Sequence, residues 1–231
     1  MHSMCSVWRI LGRGALRDIV LVCLAVGVIG LSYGAIAVAS GFPLWVPVLL
    51  GVLVVAASSE FLFIGIVAAG GSPIAALFAG LLINARHLPF GLAVPEVIGS
   101  GWRRYIGTHL MNDETVVFAL AQQDLPRKRA AYWLCGLGIL VCWPVGACLG
   151  GMAGALLDDT DALGLDAMFP AVILALILPA LRDRKTRSAA LAGSALALAT
   201  TPLLPVGLPV LLALLGAAFA IERTREKEGT R

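Results

Sequence analysis

Three groups of polar and ionisable residues interrupt an otherwise apolar sequence, and the most isolated of them is Glu60. The 41 residues before Glu60 and the 25 residues after it carry no charge. An ionisable side chain near the centre of a membrane helix costs about 2.5–3.5 kcal/mol to insert, so such residues are by default functional candidates. The pattern predicts a functional carboxylate within an apolar helix. The alternative is a carboxylate in the cytoplasmic third of that helix that reaches water through a crevice.

The second group contains Asn84, Arg86 and His87. On a helix, Asn84 and His87 share a face, whereas Arg86 points about 160° away from Asn84. Pro89 lacks a backbone donor, so it predicts a broken helix and a free carbonyl at residue 85. Broken helices with exposed ends form the midplane sites of many transporters. The alternative is that Arg86 and His87 mark the interfacial end of a short helix.

The third group contains His109, Asp113 and Glu114. Together these side chains could relay protons or hold a cation, and His109 can pair with Asp113 four residues later. They could equally form a solvated turn at the membrane surface. Their spacing matches no metal site, so neither a metal nor another cofactor is predicted.

Composition excludes most soluble classes of protein. Of the 231 residues, 59% are hydrophobic and 13% are charged, whereas soluble domains carry about 25% charged residues. A soluble enzyme, a nucleic-acid-binding module and a disordered chain are therefore excluded. The sequence also has no phosphate-binding loop, His-Glu-x-x-His or Gly-x-Ser-x-Gly motif. No enzymatic activity is predicted.

The apolar runs are continuous and do not alternate, which favours helices over a membrane barrel. We expect an all-α, polytopic membrane helical bundle of nominally eight segments, with six to eight crossings and some short or broken helices. The predicted segments are 18–40, 44–69, 73–94, 105–123, 130–157, 166–181 and two short helices within 188–221, which its prolines divide. Gly146, Gly150 and Gly154 have the spacing of a helix-packing face, or share it by chance.

The charged residues indicate on which side of the membrane the ends of the chain lie. Residues 1–17 form a basic segment, 18–221 a single transmembrane domain, and 222–231 a charged tail. Basic clusters favour the cytoplasmic side of the membrane. The protein is therefore expected in the cytoplasmic membrane with both termini in the cytoplasm, and the acidic residues of 158–161 outside.

Several short motifs occur in an order that resembles a known family. They are Ser-Ser-Glu-Phe at 58–61, Gly-Gly-Ser-Pro at 70–73, Ile-Asn-Ala-Arg-His-Leu at 83–88, Asn-Asp-Glu-Thr at 112–115 and Gly-Leu-Asp-Ala-Met-Phe-Pro at 164–170. Their order and spacing, over about residues 15 to 220, are similar to the AzlC-type permeases, the large subunits of branched-chain amino-acid exporters. The resemblance implies a secondary exporter of hydrophobic amino acids. It also implies a small membrane partner of the AzlD type.

An amino-acid substrate needs partners for its ammonium, its carboxylate and its apolar side chain. We expect Glu60 to face the ammonium, and Arg86 or a helix N-terminus to hold the carboxylate. A Glu60–Arg86 ion pair is expected in the empty protein. The residues expected to bind substrate are Glu60, Phe61, Phe63, Asn84, Arg86 and His87, and those expected to carry coupling protons are His109, Asp113 and Glu114.

Two other functions fit the same sequence. A non-transporting scaffold subunit would tolerate simultaneous replacement of Glu60, Arg86 and Asp113, provided that assembly survives. A small-solute or ion channel would give flux without saturation or counterflow.

Overall fold

The computed structural model describes residues 10–155, 178, 180–204 and 208–213. Their regular secondary structure is helical, as the continuous apolar runs predict. The helices are α1 Arg13–Ala39, α2 Trp45–Leu53, α3 Ala57–Ala68, α4 Pro73–Asn84, α5 His87–Ala93, α6 Pro95–Ile98, α7 Trp102–His109, α8 Asp113–Leu120, α9 Leu125–Gly154, α10 Arg184–Thr200 and α11 Leu208–Ala213. The predicted segment at 166–181 lies almost entirely outside the described residues, and the acidic loop at 158–161 and the tail at 222–231 lie wholly outside them.

Three helical stretches among the described residues are long and apolar enough to cross a membrane. They are α1, α9 and the 21-residue stretch Pro73–Ala93 that contains α4 and α5. A crossing needs about 20 predominantly apolar residues. The protein is therefore an all-α membrane protein, as the sequence predicts.

Helices α1 and α9 pack against each other through glycines. A Cβ atom added at Gly34 would overlap the backbone of Ala147, and one added at Gly146 would overlap the backbone of Gly27. Gly150 faces the backbone of Leu31 in the same way. The predicted packing face of α9 is thus confirmed, because only residues without side chains allow the two backbones this close.

The predicted second segment, 44–69, is wrong as one continuous helix. It is divided into α2 and α3 by residues 54–56. At the break Val55 has φ 53°, a left-handed conformation that a β-branched residue rarely adopts. Neither proline nor glycine stands at residues 54–56, so nothing local in the sequence marks this break.

The predicted break in the third segment is confirmed, and only its cause differs from the prediction. Helix α4 ends at Asn84 and α5 begins at His87. Pro89 lies in the first turn of α5, where a backbone donor has no helical partner in any case. The carbonyl of Ala85 is not free, since it accepts a hydrogen bond of 3.1 Å from the backbone N–H of Leu88.

The predicted fourth segment, 105–123, is also divided, in keeping with the expectation of some short or broken helices. Residues 110–112 separate α7 from α8. Asn112 caps α8: its side chain accepts from the backbone N–H of Thr115, and the Thr115 hydroxyl accepts from the backbone N–H of Asn112, both at 2.9 Å. This reciprocal capping stabilises a helix start within apolar sequence.

The chain forms two compact units. One contains Met1–Glu60 and Ile83–Thr160, and the other contains Phe61–Leu82 and Asp161–Arg231. In the second unit α10 packs against α11, and Asp183 caps α10 by accepting from the backbone N–H of Thr186 at 2.8 Å. Helix α10 ends before Pro202 and α11 begins at Leu208, so the described part of 188–221 divides as predicted.

Candidate functional site

Arg86 connects the three helix breaks of the first unit. One terminal nitrogen of its guanidinium lies 3.0 Å from a carboxylate oxygen of Asp113, and the other donates to the Ser58 hydroxyl at 2.8 Å. The side chains of Arg86 and Asp113 are 39% and 42% exposed. The expected ion pair between Glu60 and Arg86 is therefore wrong, because Arg86 pairs with Asp113 instead.

A second set of hydrogen bonds joins the first break to the second. The Asn84 side-chain amide donates to the Ser59 hydroxyl at 3.0 Å, and that hydroxyl donates to the carbonyl of Ala56 at 2.9 Å. The Nδ1 atom of His87 lies 2.9 Å from the main-chain carbonyl of Asn84. The ring of Phe90 packs edge-on against His87 with 5.9 Å between centroids. Asn84 and His87 are thus held together beside the start of α3.

Glu60 is buried in a different environment, with only 1% of its surface exposed. One carboxylate oxygen accepts from the backbone N–H of Ala56 and the other from the indole N–H of Trp143, both at 3.0 Å. Tyr33 stacks on Trp143 with 5.1 Å between ring centroids, and its side chain also interacts with the carboxylate. The position of Glu60 in the first turn of α3 further stabilises its negative charge.

Glu60 and His109 satisfy backbone groups that the break between α2 and α3 would otherwise leave unpaired. The Nε2 atom of His109 lies 2.9 Å from the carbonyl of Val52, near the end of α2. A carbonyl only accepts, so Nε2 carries the proton in this contact. The two side chains thus replace the hydrogen bond that Ala56 and Val52 would make with each other in a continuous helix.

His109 and Asp113 are not paired, contrary to the prediction from their spacing. The break at residues 110–112 places them on different helices, with His109 at the end of α7 and Asp113 at the start of α8. Asp113 pairs with Arg86 and His109 contacts Val52. Glu114, half-buried beside Asp113, interacts electrostatically with Arg86.

The two phenylalanines expected to bind substrate belong to the second compact unit. Phe61 is fully buried. Phe63 packs against a small cluster formed by Ile66, Ala76 and Ala79. Among the described residues, no group of three or more His, Cys, Asp or Glu side chains is placed to hold a metal ion.

Sequence reasoning missed Tyr33 and Trp143. Both lie in long apolar helices and are fully buried, with 0% and 1% of their surfaces exposed. Buried Tyr and Trp side chains usually require a partner for the O–H or N–H group. That requirement is the signal that could have linked them to Glu60, the most isolated carboxylate in the sequence.

These features define a class of protein. Apolar helices long enough to cross a membrane, with helix breaks at a connected set of polar side chains, are those of a polytopic membrane protein. The chain belongs to the AzlC family. The model of this family, described as AzlC protein, matches residues 21–157.

Relatives in two bacteria are similar over most of the chain. The branched-chain amino acid transport protein AzlC of Bacillus subtilis is 26% identical over 206 residues, which cover 86% of this chain and 80% of that protein. A protein of Haemophilus influenzae named only as an uncharacterized membrane protein is 26% identical over 174 residues, or 74% of this chain and 71% of the relative. No solved structure matches the chain.

Proposed function

We propose that this chain is the large subunit of a secondary transporter that exports branched-chain or other hydrophobic amino acids across the cytoplasmic membrane. Membership of the AzlC family and the name of the Bacillus subtilis relative support amino-acid transport. A small AzlD-type membrane subunit completes the transporter in this proposal. Both termini lie in the cytoplasm, in keeping with the basic residues near each end.

The observation that carries the proposal is the accessible ion pair of Arg86 and Asp113 at the meeting point of three helix breaks. A guanidinium is well suited to bind a carboxylate through paired hydrogen bonds. The carboxylate of an amino acid can therefore compete with Asp113 for Arg86. Since the pair is partly exposed, this exchange does not require a buried charge to be left alone.

The same exchange gives a route for coupling to protons. When substrate occupies Arg86, Asp113 loses its counterion, and in this proposal Asp113 then carries the coupling proton. Glu114 and His109 are neighbouring titratable groups on α8 and α7 that could receive or supply this proton.

Efflux from cells tests the proposal directly. Cells loaded with dipeptides containing leucine, valine, isoleucine or methionine would express this chain alone, a candidate small subunit alone, or both. We expect faster amino-acid efflux only when both chains are present. No stimulation of any of the four amino acids, with both proteins confirmed in the membrane, would refute the proposal.

Two further measurements separate transport from its alternatives. A transporter shows saturation and counterflow, whereas a channel shows neither. The triple variant Glu60→Gln, Arg86→Gln, Asp113→Asn should abolish efflux while the two chains still co-purify. Full efflux by that variant would identify the chain as a scaffold subunit.

A further inference from the structure

Two buried hydrogen-bond acceptors in the break between α4 and α5 have no partner among the described residues. They are the side-chain oxygen of Asn84 and the Nε2 atom of His87. Buried polar atoms are nearly always hydrogen-bonded, because leaving one unpaired loses the interaction it makes with water. The two unpaired atoms belong to residues on either side of Arg86 at this break, and we take them to indicate a missing ligand group there.

Neighbouring contacts fix the orientation of the Asn84 amide. The Ser59 hydroxyl lies 2.9 Å from the carbonyl of Ala56, and a carbonyl cannot donate, so the hydroxyl proton points to Ala56. The same hydroxyl must then accept from Asn84, which places the NH₂ group of Asn84 against Ser59. The side-chain oxygen of Asn84 is consequently the atom without a partner, and it is an acceptor.

The His87 ring is fixed by the same reasoning. Its Nδ1 atom lies 2.9 Å from the main-chain carbonyl of Asn84, so Nδ1 carries the proton. In a neutral imidazole the other nitrogen, Nε2, is then an acceptor. Phe90 packs edge-on against the ring and helps to hold it in this orientation.

Two acceptors without a donor call for a ligand group that supplies several donors. A primary ammonium has three N–H donors and a positive charge, whereas a carboxylate or an apolar group has none. Glu60 is a less suitable partner, because it is buried and both of its oxygens already accept hydrogen bonds from the protein.

We infer that the side-chain oxygen of Asn84 and Nε2 of His87 bind the primary ammonium group of the substrate, close to the Arg86 guanidinium that would hold its carboxylate. The inference rests on the proposed function for its choice of an amino acid. It differs from the sequence-based expectation, which gave the ammonium to Glu60. In this inference Glu60 does not bind the ammonium. It positions the start of α3, and with it the Ser59 hydroxyl that orients Asn84.

Two fragments of leucine test the inference separately from transport. Isopentylamine carries the amine without the carboxylate, and 4-methylpentanoate carries the carboxylate without the amine. Binding of each would be measured by calorimetry on the full chain with its small subunit in lipid. Asn84→Leu and His87→Phe remove the two acceptors while keeping approximate shape, and Thr108→Val, at an exposed hydroxyl bonded within its own helix, serves as the control.

We expect Asn84→Leu and His87→Phe each to weaken isopentylamine binding at least tenfold and to change 4-methylpentanoate binding less than twofold. The retained binding of 4-methylpentanoate shows that the variants are folded. If neither variant yields folded protein, Asn84→Asp decides, because it keeps an acceptor oxygen: retained or tighter amine binding supports the inference, and a tenfold loss overturns it.

Failure of the inference can be distinguished from failure of the proposed function. If leucine is exported but amine binding is unaffected by both variants, or is weakened only by Glu60→Gln, the inference is overturned and the function stands. If leucine is not exported but isopentylamine binding depends on Asn84 and His87, the function fails and the ammonium site stands. An unmodified protein that binds no amine overturns the inference.

Discussion

The α1–α9 pair and the junction of the three helix breaks are held together by different kinds of interaction. Between α1 and α9 the backbones touch through glycines such as Gly34 and Gly146, so their fit depends mainly on shape. At the junction, side chains such as Arg86 and Glu60 satisfy charges and backbone groups that the breaks expose. Steric fit dominates the contact between α1 and α9, and hydrogen bonds and ion pairs dominate the junction.

This difference indicates which region can change during a transport cycle. Close-packed backbones cannot slide without overlap, so the α1–α9 pair is expected to move as one body. Hydrogen bonds and ion pairs can be exchanged for others, as when a ligand carboxylate replaces Asp113 on Arg86. We therefore expect α1 and α9 to act as a scaffold and the junction to rearrange.

The largest effect is expected from a side chain placed between α1 and α9. Gly34→Leu forces new atoms into the backbone of Ala147, and overpacking of a core costs about 1–3 kcal/mol or more. We expect little or no monodisperse protein after extraction. Gly14→Leu is the matched control on the same helix, because nothing lies within 4 Å of a Cβ atom there. Equal yields of the two variants would show that α1 and α9 are not closely packed in the membrane.

A smaller but substantial loss of stability is expected from Glu60→Ala. It removes the acceptor for the indole of Trp143 and the backbone N–H of Ala56, and each buried group left unpaired costs about 1–3 kcal/mol. Glu60→Gln keeps one acceptor oxygen and should retain more of the stability. Thermal unfolding of both variants in detergent measures the difference.

Trp143→Phe completes this test as a double-mutant cycle. It keeps an aromatic ring to stack on Tyr33 but removes the indole donor to Glu60. If the two residues stabilise each other, Glu60→Ala should cost less in the Trp143→Phe background than alone. Strictly additive losses would mean that the hydrogen bond between them contributes nothing.

Arg86→Gln and Asp113→Asn should reduce function strongly and stability only slightly. Their pair is partly exposed, and such pairs contribute about 0.2–1 kcal/mol. We expect melting temperatures close to that of the unmodified protein, together with at least a tenfold loss of amino-acid efflux. Variants that lose stability as severely as Glu60→Ala would mean that the pair is required for folding and is not free to exchange partners during transport.

The sequence predicts the scaffold better than the junction. Continuous apolar runs and glycine spacing are sufficient for α1, α9 and their contact, because they depend on composition and on local periodicity. The three polar groups are also evident from their rarity. Their interaction partners are not evident from the sequence. Trp143 is 83 residues from Glu60 along the chain, and several carboxylates were possible partners for Arg86.

The helix breaks differ in how much of their cause is local. The start of α8 has a readable signal, because Asn112 and Thr115 have the spacing of a reciprocal cap. Residues 54–56 have no such signal. Their break depends on Glu60, which accepts a hydrogen bond from the backbone N–H of Ala56, and on His109, which donates to the carbonyl of Val52, 57 residues away. Tertiary contacts therefore decide a local conformation that helix propensity alone would have left continuous.

The smallest effect is expected from substitutions of Val55, which test the backbone conformation of that break. The prediction concerns which of two variants is the more stable, and not by how much. In an ordinary helix or strand, glycine is less stable than alanine by about 0.5–1 kcal/mol. Val55 has φ 53°, where any Cβ atom is strained by about 1–2 kcal/mol. Val55→Gly should therefore be at least as stable as Val55→Ala, although both lose the same buried contacts.

Val54 provides the matched control for this comparison, because it is the neighbouring valine and has φ −104°. There, Val54→Ala should be more stable than Val54→Gly. Thermal unfolding of the four variants in one detergent measures both differences. If the alanine variant is more stable than the glycine variant at both positions, α2 and α3 join without a left-handed residue. Glu60 and His109 would then not be required to stabilise a break there. An inverted order only at Val55 would place the backbone strain at the break between α2 and α3, within the junction.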